Sequence, residues 1–172
     1  MIPKIQRILY ATDLSPNSAY AFQYAINSAI KHDAGIIILH VFEPVSTAVR
    51  AQMGFYLDDE RRKQIFDDQV SNTIDRIKKR LSTFSDKELK DYPKAEDRIE
   101  SIQVFEGFPA DAILEMANEL ECDAIVMGTH GKGIIANTFL GSVAKRVLRR
   151  SRLPVFIIPL PRGETDLTVH DD

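Results

Sequence analysis

At 172 residues the chain suits one domain of about 150 residues and leaves no room for a second full one. Apolar residues make up 44% and charged residues 27%, an ordinary globular balance able to bury about 70% of the extended surface. Lysine and arginine number 22 against 25 acids, a net charge of −3, which calls for neither nucleic acid nor an anionic membrane.

Residues 1–10 carry Lys4 and Arg7 and no apolar stretch of signal-peptide length, so no leader is expected there. Nor does any apolar run approach the roughly 20 residues of a membrane span. Ile5 and Arg7–Ala11 read as a short strand that ends at Thr12-Asp13. Ser15 then offers an N-cap and Pro16 a first helical residue. Within 16–31, Ala19, Phe22, Ile26, Ala29 and Ile30 fall on one helical face, and Asp33-Ala34-Gly35 breaks the helix. Ile36–Phe42 is a continuous apolar run, as expected of a strand buried on both faces of a parallel sheet.

Residues 43–58 show no period and read as a loop or irregular insertion. Phe66, Val70, Ile74, Ile77, Leu81 and Phe84 step by 4, 4, 3, 4 and 3, which predicts a long helix. From Ser85 to Arg98 nine of fourteen residues are charged and Pro93 interrupts, so a solvated connection is expected. Ile99, Ile102, Val104 and Phe105 make a third strand. Gly107-Phe108-Pro109 opens a helix with Ile113, Leu114, Ala117 and Leu120 facing inward. Asp123–Met127 is a fourth strand, 128–141 a glycine-bearing segment, Ser142 to Arg150 a helix, and Leu153 to Ile158 a fifth strand. The tail from Arg162 to Asp172 has no packing pattern and reads as disordered. Cys122, the single cysteine, excludes an internal disulfide framework and a cysteine-based metal cluster and reads as inert packing; it fits a reducing cytoplasm.

Strands alternating with helices imply an α/β fold: one open parallel sheet with helices on both faces, joined by right-handed crossovers. In such sheets ligands bind beyond the carboxyl ends of the strands, where strand order reverses. Thr12-Asp13, His40-Val41-Phe42 and the segment from Gly128 onward all end there. In that last segment, glycines let ligand atoms approach the backbone, and successive N–H groups can form an anion nest. Gly141-Ser142 then starts a helix whose first N–H groups are free. One helix end is worth about 0.3–1 kcal/mol when exposed, so a nucleotide needs several such contacts together. A plain glycine loop with a serine cap remains the alternative. The spacing is neither the Walker loop nor the dinucleotide fingerprint.

Gly128, two residues, Gly131, nine residues, Gly141 and Ser142 resemble the nucleotide-binding motif of the universal stress protein family. So do Gly141–Leu148 followed by Leu153-Pro154-Val155, and the opening Ile8–Ser15. The resemblance spans residues 4 to 159, giving one domain over 1–160 with an irregular insertion at about 43–60 and a tail at 161–172. It implies strand order 3-2-1-4-5 and the ATP-binding subgroup, with ATP, ADP or AMP as ligand, carried with or without magnesium. On that resemblance Gly128 and Gly131 line ribose and phosphates. Gly141, Ser142 and Val143 offer N–H groups or a hydroxyl to the phosphates. Asp13 sits by the ribose or a phosphate-bound metal, and Val41 presents backbone to adenine. Thr12, Met127, His130 and Lys132 complete the nucleotide-binding set. The alternative for Asp13 is a simple turn or cap residue, and for His130 and Lys132 solvent-exposed spacers. His40 reads as a satisfied core histidine, and the four histidines lack metal-ligand spacing. Lys145, Arg146, Arg149, Arg150 and Arg152 read as a solvated helix end that complements the dipole.

The leading expectation is a cytoplasmic ATP-binding regulatory module acting as a homodimer. A slow ATP-hydrolysing enzyme and a nucleotide-independent structural dimer are the alternatives. Hydrolysis needs a positioned water and charge-neutralising groups, and Asp13, His130 and Lys132 form no recognisable catalytic set. A flavin carrier would want flanking aromatics that loops 13–18 and 128–141 lack. The apolar strand Val155–Ile158 is an edge in the implied order, which invites pairing with a second copy, as is common in the family.

Overall fold

The computed structural model describes residues 2–54, 59–90, 92–130 and 140–159. In chain order the elements are β1 (Arg7–Thr12), α1 (Pro16–His32), β2 (Gly35–Phe42), α2 (Thr47–Gly54), α3 (Asp59–Leu89), α4 (Pro93–Glu96), β3 (Ile99–Glu106), α5 (Pro109–Glu119), β4 (Ala124–Gly128), α6 (Ser142–Arg150) and β5 (Val155–Ile158). The five strands form one sheet in the order β3-β2-β1-β4-β5, as expected, and every pairing is parallel.

The run of apolar residues in β1, β2 and β4 has a direct cause. Successive side chains point to opposite faces, and both faces are covered. Ile8, Tyr10, Ile36, Ile38 and Val126 pack with Phe22, Ala25 and Ala29 of α1 and with Leu81 and Leu89 of α3. Leu9, Ala11, Ile37, Leu39, Ile125 and Met127 pack on the other face with Ile113 and Ala117 of α5 and Ala144 and Val147 of α6. Reversal of the winding at β1 and β4 opens a crevice between their carboxyl ends.

The start of α1 follows the sequence cues. Ser15 Oγ accepts the N–H of Ser18, and Pro16 occupies the first turn. Asp33, at φ 56°, ends the helix in the left-handed conformation. Cys122 is buried, and that burial pushes its thiol up to about 11, which agrees with an inert packing role.

Two expectations are corrected. Residues 47–54, read as irregular, form α2. The helix has no apolar stripe to announce it; Val49 is exposed. It is instead specified by helix formers (Ala48, Arg50, Ala51, Gln52) and by Ser46 Oγ, which accepts the Val49 N–H at 3.4 Å. The charged stretch 85–98 is likewise not all solvated connection. Helix α3 runs on to Leu89, and α4 follows. Leu81, Ser85, Leu89 and Ala95 are buried, so a narrow inward seam carries the segment, while Asp86, Lys87, Lys90, Glu96 and Asp97 are exposed. The tail beyond 159 lies outside the described residues. No helix among the described residues is long and apolar enough to cross a membrane.

Candidate functional site

The turn after β1 is built from its own side chains. The Thr12 hydroxyl accepts the Leu14 N–H at 3.1 Å and donates to Ser18 Oγ at 2.9 Å. Ser18 Oγ in turn donates to the Ser15 carbonyl at 2.8 Å. Asp13 Oδ1 accepts the Ser15 N–H at 3.0 Å, an Asx turn that fixes the carboxylate and leaves Oδ2 without a hydrogen-bond partner among the described residues. These bonds hold Leu14 at φ 64°, a conformation that costs a non-glycine residue about 1–2 kcal/mol. Beneath the turn, Tyr10 Oη donates to the Ser18 carbonyl at 2.5 Å, and burial raises its pKa, so it stays protonated. His40 Nδ1 lies 2.8 Å from the Thr12 carbonyl, so the ring donates there and ties β2 to the end of β1. It is the buried, satisfied histidine the sequence suggested.

A cavity of about 360 Å³ opens above this turn. Ligand clefts commonly run from about 300 to 1,000 Å³. Its apolar lining comes from Ala11, Leu39, Val41, Pro109, Ile113, Met127, Val143 and Ala144. The rest of the lining is Thr12, Asp13, Ser18, Gly128, His130 and Ser142. The ends of β1, β2 and β4 bring Ala11, Leu39, Val41 and Met127 from the α5–α6 face, while Asp13, Ser18 and Ser142 come from the turn after β1 and the starts of α1 and α6.

Of the expected site residues, Thr12, Asp13, Val41, Met127, Gly128, His130, Ser142 and Val143 border this one cavity. Gly141 stands at the N-cap of α6, and its N–H donates to the Thr129 carbonyl at 2.8 Å. Its φ of −63° is open to any residue, so left-handed freedom is not what the position requires. Gly131 and Lys132 lie outside the described residues. His130 is half-buried rather than a solvent-exposed spacer, with Nδ1 3.0 Å from Thr129 Oγ1.

The sequence reading missed Leu39, Ser18, Pro109 and Ile113. Leu39 sits two residues before Val41 and so shares its face, a signal that was available. From sequence Pro109 reads as a helix opener and Ile113 as an inward core residue; nothing local signals that this helix start reaches the crevice. Among the described residues no group of three or more histidine, cysteine or acidic side chains is placed to hold a metal. Among the described residues Asp13 is the one carboxylate that lines the cavity.

Residues 4–159 match the universal stress protein family. Universal stress protein MJ0531 of Methanocaldococcus jannaschii is 28% identical over 159 residues, covering 92% of this chain and 85% of that protein. A universal stress protein of Thermus aquaticus is 29% identical over 152 residues, covering 88% and 96%. Among solved structures, MJ0577 superposes with a TM-score of 0.69 at 22% identity, over 94% of this chain and all of that one. A universal stress protein solved in complex with cAMP superposes at 0.56 with 26% identity, over 91% and 98%.

Proposed function

The chain belongs to the universal stress protein family, and from that premise we propose that it is a regulatory module that binds ATP in the crevice between β1 and β4 and works as a homodimer. The observation that carries the reading is the single cavity bordered by Asp13, Val41, Gly128, His130, Ser142 and Val143. The relative in complex with cAMP supports an adenine nucleotide as the ligand class.

Adenine enters the apolar half, where Leu39, Val41, Ile113 and Met127 exclude water. Asp13 Oδ2 is the group available to accept from a ribose hydroxyl or to meet a nucleotide-bound magnesium. The phosphates lie toward Gly128, His130 and the first N–H groups of α6, whose dipole favours negative charge. A nucleotide freed by denaturing fresh protein and identified by mass spectrometry tests the reading. Recovered ATP, ADP or AMP supports it; protein that is empty and takes up no added nucleotide refutes it.

Asp13→Asn separates the two jobs of this side chain. An asparagine oxygen still accepts the Ser15 N–H, so the melting temperature of the free protein should hold within about 2 °C. Losing the charge weakens a hydrogen bond by about 1 kcal/mol, so affinity for magnesium ATP should fall about five- to tenfold by calorimetry. Unchanged affinity would leave Asp13 a turn residue only.

Turnover is expected to be absent or far below the median enzyme rate of about 10 per second. Asp13 and His130 are the cavity's only ionisable side chains among the described residues. Steady phosphate release near that rate, abolished by changing either, would replace the binding module with an enzyme.

The dimer is expected to form through β5. Among the described residues this strand pairs only with β4, and Phe156 on it is 40% exposed. An apolar edge with free backbone groups favours a self-complementary pair. Pro154 and Pro159 lack N–H groups and confine the pairing to the centre. Light scattering should give twice the mass of one chain at micromolar concentration, and Phe156→Lys should halve it. A wild-type mass of one chain would remove the dimer.

A further inference from the structure

The neck of the segment joining β4 to α6 is held by a side chain on neither element. Asn17, in the first turn of α1, is 2% exposed. Its Nδ2 donates to the His130 carbonyl at 3.0 Å and to Thr129 Oγ1 at 3.1 Å. A carbonyl only accepts, so the amide must present its NH₂ there. The Thr129 hydroxyl, 3.0 Å from His130 Nδ1, carries the contact on to the cavity wall. Thr129 is also pinned through its backbone: its N–H reaches the Ile158 carbonyl at 3.1 Å, and its own carbonyl accepts the Gly141 N–H at 2.8 Å. One residue thus joins β5, the start of α6 and, through Asn17, the start of α1.

Gly128 completes the fit. A Cβ there would lie 2.9 Å from Asn17 Nδ2 and 3.0 Å from its Cγ. The glycine is required by the amide packed over it as much as by any ligand. Asn17 Oδ1, meanwhile, is buried without a hydrogen-bond partner among the described residues. An amide with an orphaned oxygen is a poor choice for stability alone, which directs attention to what its other end holds.

Resting on the nucleotide-binding reading, we propose that Asn17 is the positioning residue that sets His130 and the α6 N-terminus for the phosphates. It does not contact the nucleotide. Its effect is therefore confined to ligands that carry phosphate.

The test compares Asn17→Ala and Asn17→Asp with wild type by titrating magnesium ATP and adenosine. Asn17→Ala should weaken ATP about tenfold and leave adenosine within about twofold. Asn17→Asp places an acceptor against the His130 carbonyl, yet an acid in the first turn suits the helix dipole and keeps α1 intact. It should bind ATP at least as poorly as Asn17→Ala at pH 8. The ratio to wild type should close as pH falls and the new carboxyl gains a proton to donate; Asn17→Ala should show no such closing. Amide exchange at Gly141 and Thr129 in ligand-free protein should quicken about tenfold or more in Asn17→Ala. That readout needs no nucleotide, so wild type that binds no ATP defeats the function reading while exchange still judges the neck. Wild-type exchange with unchanged ATP affinity would overturn the role, and so would equal losses for ATP and adenosine.

Discussion

Magnesium ATP should raise the melting temperature by roughly 5–10 °C at about a hundred times its dissociation constant. Saturation of that order stabilises the native state by about 2.7 kcal/mol, and a domain of this size shifts about 2–4 °C per kcal/mol. A micromolar dissociation constant corresponds to about −8 kcal/mol, more than burial of one adenine supplies. The remainder has to come from contacts at the polar side of the cavity. Gly131→Val with Gly141→Val should therefore abolish the shift. The physical reason at Gly141 is bulk. With φ at −63° the backbone accepts valine, so the variant folds, but a branched side chain then crowds the first free N–H groups of α6. GTP should shift the transition less, since adenine is expected to be read by the backbone of β2. Wild type without any ATP-dependent shift, or a double variant that keeps it in full, would end the nucleotide reading.

The crevice was legible because its parts are punctuated. A continuous apolar run such as Ile36–Phe42 signals a doubly covered strand, and β1, β2 and β4 each place a residue at or near the carboxyl end (Thr12, Val41 and Gly128) on the cavity. What stayed hidden had physical reasons. Helix α2 has no buried stripe among its described side chains, so periodicity is silent and only propensity and the Ser46 cap speak for it. Leu89 and Ala95 sit in a stretch whose charges dominate any composition-based reading, although Leu81, Ser85 and Leu89 keep a four-residue step. Asn17 was invisible for a different reason. An asparagine in the first turn of a helix ordinarily reads as a local cap, whereas this one reaches more than a hundred residues along the chain to Thr129 and His130. No local pattern encodes a contact of that separation.

Leu81→Ala should lower the melting temperature by roughly 6–15 °C and leave the nucleotide affinity unchanged within about twofold. Six apolar residues mark the inward stripe of α3, but they do not share the burial equally. Leu81 is fully buried among Phe22, Ile36 and their neighbours, whereas Phe66, Val70, Ile74, Ile77 and Phe84 are only half-buried. Truncating a leucine in a closed core costs about 2–5 kcal/mol, because the lost transfer energy is compounded by the cavity left behind. At a half-buried position the surroundings relax and water fills the gap, so Ile74→Ala should cost about 1 kcal/mol. Leu81 belongs to the face covered by α1 and α3, while the apolar wall of the cavity belongs to the face covered by α5 and α6. The sheet lies between them, and close-packed strands pass little of a local loss through to the far side when the protein is well below its transition. Thermal denaturation alongside calorimetry at about 15 °C separates the two quantities. A Leu81→Ala protein that melts within about 2 °C of wild type would mean that α3 is not anchored at this residue. A protein that binds nucleotide much more weakly at low temperature would mean that the two faces are coupled through the sheet.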